Sequence, residues 1–116
     1  MLVLVYRKCS TCLKTLKWLD ENGVNYEERP IVEQNPTFDE LKEWHGKSGL
    51  PLKKFFNTSG LLYKEMKLKD KLAEMSEEEQ LQLLATNGML VKRPLVVGED
   101  YVLTGFKEAE WKEKML

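Results

Sequence analysis

The chain has 116 residues, 42% of them hydrophobic and 32% charged, with a formal net charge of -1. That is the size of a single domain with one real core, and it excludes global disorder. Eighteen basic residues, of which only Arg7, Arg29 and Arg93 are arginine, face nineteen acids, so no bulk positive charge directs the protein to nucleic acid or an anionic membrane.

The apolar opening Met1–Val5 is interrupted by Arg7 and Lys8, far short of the roughly 20 residues that span a bilayer, and it has no signal-peptide pattern. A cytoplasmic location is expected. Leu2 to Tyr6 has the composition of a strand. After Cys9 the spacing of Cys12, Leu16, Leu19 and Val24 becomes helical, and Asn22-Gly23 supplies a stop. Val24 to Val32 can form a second strand, which makes a parallel strand–helix–strand unit. Thr37 and Glu40 have capping-box spacing before a helix presenting Phe38, Leu41 and Trp44, which Gly46 and Gly49 are expected to end.

Pro51 opens a short helix with Leu52, Phe55 and Phe56, Asn57 to Gly60 is a turn, and Leu61 to Leu72 is expected to be helical. Ser76 and Glu79 form a second capping box, and Asn87-Gly88 is expected to stop that helix. Leu95–Val97 and Tyr101–Leu103 flank Gly98-Glu99-Asp100 as a hairpin, and Glu108 to Met115 closes the chain as a helix. This order predicts a single α/β domain, residues 1–116, with a small mixed sheet of the thioredoxin-like, glutaredoxin-like layout and a helical insertion near residues 37–87. In that layout the loop after the first strand faces the segment entering the third, which brings Cys9 near Arg93-Pro94.

The chemistry lies in Cys9-Ser10-Thr11-Cys12. A free thiol has a pKa of about 8.5 and is a weak nucleophile until ionised. At a helix start, unpaired N–H groups and the helix dipole stabilise the thiolate, and Arg7, Lys8 and Lys14 are expected to add positive charge. Cys12, one turn on and facing inward, is expected to stay protonated until it resolves a mixed disulfide. The pair can also be read as two small buried hydrophobes. A zinc site lacks ligands, since His45 is the one further candidate. His45 itself, beside Trp44 at a helix end, reads as a cap or packing residue. Pro94, if its peptide bond is cis, can turn a backbone carbonyl toward substrate, and Arg93 can hold a thiolate or grip an oxyanion. Lys53, Lys54, Lys64, Lys67, Lys69 and Lys71 alternate with acids and read as a solvated surface.

Cys9-x-x-Cys12, the run Leu90 to Val97 containing Arg93-Pro94, and Gly105-Phe106-x-Glu108 together resemble the family of glutaredoxin-linked arsenate reductases (ArsC) and the Spx-type transcriptional regulators. The resemblance covers essentially the whole chain. It implies a thioredoxin-like fold, Cys9 as the reactive cysteine, Cys12 as its resolving partner and Arg93 as the arginine before the proline. Ser10, Thr11, Lys8, Lys14 and Pro94 are the expected substrate-side residues. No bound cofactor is expected, and the reductant would be glutathione, glutaredoxin or thioredoxin, acting with a small thiol or disulfide substrate or a redox protein. Arsenate reductases of this family use three arginines, whereas the insertion here contains none and the last position is Phe106, which argues against efficient arsenate reduction. In the Spx-type regulators the same cysteine pair is a switch for binding the RNA polymerase α subunit, and Gly49 lies near the corresponding partner surface.

Overall fold

The computed structural model describes all 116 residues. Strand β1, Leu2–Val5, runs into helix α1, Ser10–Glu21, and the chain returns as β2, Glu27–Pro30. The helical region follows, with α2 (Phe38–Ser48), a 3-10 turn (Leu52–Phe55), α3 (Leu61–Glu65), α4 (Leu68–Lys71), a 3-10 turn (Leu72–Glu74), α5 (Glu77–Leu84) and a 3-10 turn (Gly88–Leu90). Strands β3, Leu95–Val97, and β4, Val102–Thr104, precede α6, Glu108–Met115. The sheet order is β2-β1-β3-β4, with β1 parallel to β2 and both later pairings antiparallel. This is the mixed thioredoxin-like sheet expected from the element order.

Because side chains alternate across a strand, each strand feeds two layers. Val3, Val5, Val96 and Leu103 face α1 and α6, where Leu16, Leu19 and Trp111 complete one core cluster. Leu4, Leu95 and Val102 face the helical region, where Leu41, Phe55, Leu68 and Leu84 complete the other. The aromatic side chains of Trp18, Phe106 and Trp111 meet edge to face at 5.0–6.0 Å and clamp α6 to α1.

Both capping boxes form. Thr37 accepts from the Glu40 N–H and Ser76 from the Glu79 N–H, each reciprocated by the glutamate. Four expectations are corrected. β2 is shorter than Val24 to Val32, because the Val24 N–H is used by the Leu19 carbonyl at the end of α1 and, after the Ile31 N–H bonds the Val5 carbonyl, the chain turns with the Gln34 N–H donating to the Pro30 carbonyl. Gly46 lies inside α2, and Gly49, at φ 68°, makes the left-handed stop. The helix expected over Leu61 to Leu72 breaks at Lys67, φ 54°. On one continuous helix Tyr63 and Leu68 would point about 140° apart, and the break lets both enter one core cluster. Finally, α5 ends at Leu84 with Ala85 as its C-cap, and Asn87 instead caps the next turn by accepting from the Met89 N–H. Gly88 is there for space. A Cβ on it would lie 1.9 Å from the Ile31 carbonyl oxygen.

Candidate functional site

β1 ends in a tight loop in which the Cys9 N–H donates to the Tyr6 carbonyl at 2.9 Å. Cys9 is extended at the N-cap of α1, and the Leu13 N–H donates to its carbonyl to start the helix. The Cys9 side chain therefore stands at the head of α1, where the backbone N–H groups of Thr11 and Cys12 act on its sulfur. Cys9 is partly exposed and Cys12 is fully buried, and both are free thiols. The spacing places them one turn apart on α1, as expected for a pair able to close on itself.

Their surroundings pull the two sulfurs in opposite directions. Partial burial pushes the Cys9 pKa up, but the backbone N–H groups of Cys12 and Thr11, the Cys12 thiol and the charge on Arg93 together bring it below the ordinary thiol value. For Cys12 burial dominates. It raises the pKa to about 11, although the Tyr6 N–H, 3.5 Å from the sulfur, favours the thiolate. The Thr15 hydroxyl donates to the Thr11 carbonyl at 2.8 Å inside the first turns of α1.

Arg93 approaches from the other side of the sheet end, where the Arg93–Pro94 peptide bond is cis. Its guanidinium carbon stands 5.1 Å from the centre of the Tyr6 ring, and one of its nitrogens donates to the Met89 carbonyl at 3.3 Å. Tyr6 therefore serves two groups of the site, a role that the strand-like run Leu2 to Tyr6 does not signal.

The other two arginines are committed elsewhere. Arg7 makes a two-pronged contact with Glu28 at 2.6 and 2.7 Å, and Arg29 does the same with Glu40 at 2.7 and 2.9 Å. The expectation that Arg7 adds positive charge at Cys9 is thus corrected, since Glu28 on β2 neutralises it. Lys8, Ser10, Thr11 and Lys14 are exposed around the loop, and Pro94 is buried behind it. Arg93 is the arginine left without a carboxylate partner. His45 lies outside the site, edge to face with Phe55 and 3.1 Å from Glu77.

A family model described as the ArsC family matches residues 4–114. The protein YusI of Bacillus subtilis, itself called uncharacterized, is 56% identical over 93% of this chain and 92% of its own length. The regulatory protein MgsR of the same organism is 28% identical over 90% of this chain and 82% of its own. Among solved structures, an ArsC-family-related protein of Bacteroides fragilis is 62% identical with a TM-score of 0.94, covering 97% of this chain and 94% of that one. A protein described as a possible arsenate reductase of Streptococcus mutans is 40% identical with a TM-score of 0.90, covering 98% and 97%.

Proposed function

This chain belongs to the ArsC family, and from that premise we propose that it is a thiol–disulfide oxidoreductase in which Cys9 attacks and Cys12 resolves. One observation carries the reading: two free thiols one helical turn apart sit in opposed environments, the outer one at a helix start facing Arg93 and the inner one buried. The Cys9 thiolate attacks a substrate disulfide, forms a mixed disulfide and releases the first thiolate, which takes a proton from water. Cys12 then attacks the Cys9 sulfur, giving up its proton to the second leaving thiolate as the Cys9–Cys12 bond closes. The protein dithiol loses two electrons and the substrate disulfide gains them. Glutathione, glutaredoxin or thioredoxin returns the protein to the dithiol form.

Arsenate is a poorer fit as the oxidant. An oxyanion reductase needs several converging cations, and here Arg93 is the arginine free of a carboxylate, while Phe106 is packed against Trp18 and Trp111. The loss of one charged hydrogen bond to an oxyanion weakens binding by about 1.5–3 kcal/mol. Mild oxidation followed by intact-mass measurement should show loss of two hydrogens, abolished in Cys12→Ala. Thiols that stay reduced while added glutathione oxidises would overturn the reading.

The relative named as a regulatory protein supports a second reading, in which the redox state of the pair controls binding to the RNA polymerase α subunit. A hundredfold difference in affinity between the redox states corresponds to about 2.7 kcal/mol of differential interaction. Capture of the α subunit by one redox form alone, with no turnover of any disulfide, would favour that reading over the enzyme.

A further inference from the structure

The three arginines of this chain are held in two different ways. Arg7 and Arg29 are gripped by Glu28 and Glu40 through paired hydrogen bonds, and a carboxylate that fixes a guanidinium also cancels its charge. Arg93 has no such partner. Its guanidinium carbon lies over the Tyr6 ring, 5.1 Å from the centroid, and one nitrogen donates to the Met89 carbonyl at 3.3 Å. A ring face attracts a cation through its quadrupole but carries no net charge, so it fixes Arg93 without neutralising it. The charge that remains is the one that acts on the Cys9 sulfur.

The sheet sets this pair up. β1 and β3 are antiparallel, with Leu2 opposite Val97, Val3 opposite Val96 and Leu4 opposite Leu95. Two further steps along that register set Tyr6 opposite Arg93, at the strand end that leads into Cys9, and directly opposed side chains lie within reach of one another. The ring is half-buried against the core cluster that contains Leu4 and Leu95, which restrains its own movement. The main chain of Tyr6 meets both cysteines as well, through the N–H 3.5 Å from the Cys12 sulfur and the carbonyl that accepts from the Cys9 N–H at 2.9 Å. A change of side chain at Tyr6 therefore removes the ring without deleting either backbone group.

We propose that Tyr6 is a positioning residue for thiol exchange at Cys9, acting through Arg93 by holding the guanidinium at the site with its charge intact. The inference rests on the thiol-exchange reading of Cys9 and Cys12 and adds to it what keeps the cation in place. The ring does this, and the phenol hydroxyl has no part in it.

The test is a cycle of variants read by the pH dependence of Cys9 alkylation with iodoacetamide, the labelled peptide being identified by mass spectrometry. Tyr6→Leu should move the Cys9 midpoint upward, lowering its acid dissociation constant by about two- to fivefold, the equivalent of one partly exposed cation–π contact. The shift should not exceed that of Arg93→Gln. Tyr6→Phe, which keeps the ring, should keep the midpoint of the unaltered protein. In the Arg93→Gln background Tyr6→Leu should add nothing, because the two residues act as one unit. An unchanged midpoint in Tyr6→Leu would show that Arg93 needs no ring, and a shift in Tyr6→Phe would assign the effect to the hydroxyl. A full effect of Tyr6→Leu without Arg93 would show that the ring acts on Cys9 by packing. Each of these three results overturns the proposal. A second measurement holds even if Tyr6→Leu fails to fold. In the NMR spectrum of the unaltered protein the Arg93 side-chain protons, assigned by their absence in Arg93→Lys, should be shifted upfield by the ring current, and random-coil positions would overturn the proposal. Failure of Cys9 to exchange with any disulfide, with the cycle otherwise as expected, would overturn the exchange reading and leave the Tyr6–Arg93 unit standing.

Discussion

At the scale of single residues, two identical side chains three positions apart acquire different chemistry from their surroundings. Cys9 meets helix N–H groups and Arg93 at the protein surface, while Cys12 meets the apolar interior. Alkylation by iodoacetamide across pH should give Cys9 a midpoint lowered by the helix N–H groups and Arg93, with Cys12 unreactive until near pH 11. Equal rates for both thiols at every pH would remove the assigned roles. Arg93→Gln should move the Cys9 midpoint upward and slow its exchange with disulfides, while Arg93→Lys should retain part of the effect because it keeps the charge. A midpoint unchanged in both variants would make Arg93 structural. The cysteine pair was legible in the sequence because its motif is local. The Tyr6 ring beneath Arg93 was not, because Tyr6 and Arg93 are 87 positions apart in the chain and meet only across a strand pairing.

At the scale of elements, the capping boxes were readable because their hydrogen bonds span three residues. What the first box also does was hidden. Glu40 both completes the cap of α2 and holds Arg29, which itself donates to the carbonyls of Gln34 and Asn35, so one carboxylate ties α2 to the segment leaving β2. The Arg29 hydrogen bond is the main reason that the Glu40 pKa falls from 4.5 to about 2. A carboxylate with a depressed folded value contributes stability that is complete above the unfolded value and disappears as pH falls toward the folded one. Urea unfolding should therefore show the protein losing stability between about pH 4.5 and pH 2 more steeply than Glu40→Gln, which at pH 7 should be weaker by about 1–3 kcal/mol. Parallel pH profiles for the two proteins would contradict this. Gly88 is a case where the residue type was noticed and the reason was not. Its neighbour across the space is the Ile31 carbonyl, so Gly88→Ala must displace backbone and should destabilise the protein by about 1–3 kcal/mol or more. A melting temperature equal to that of the unaltered protein would show that the approach relaxes freely.

At the scale of the whole molecule, the sheet is held between two layers that depend on different segments. Trp111 is fully buried, donates to the Gly105 carbonyl at 3.3 Å, and packs on both Trp18 and Phe106, so it joins α6 to α1 and to the sheet end that carries the site. Trp111→Ala should cost about 3–5 kcal/mol in chemical denaturation, and Trp111→Phe clearly less, because most of the apolar volume remains. A loss below about 1 kcal/mol for Trp111→Ala would mean that α6 is not part of the cooperative core. The order of strands and helices, the two capped helix starts, the closing hairpin and the cysteine pair at the head of α1 were legible along the chain, since each depends on periodicity or hydrogen bonds spanning a few residues. Which charges remain free emerged from the folded arrangement alone. Arg7 and Arg29 look like available cations until β2 and α2 supply Glu28 and Glu40, whereas the exposed Lys53 and Lys54 come to line one cleft with Lys92 and Lys107. Whether a charge is neutralised or concentrated depends on what lies within a few ångströms of it, and chain folding, not sequence spacing, sets that distance.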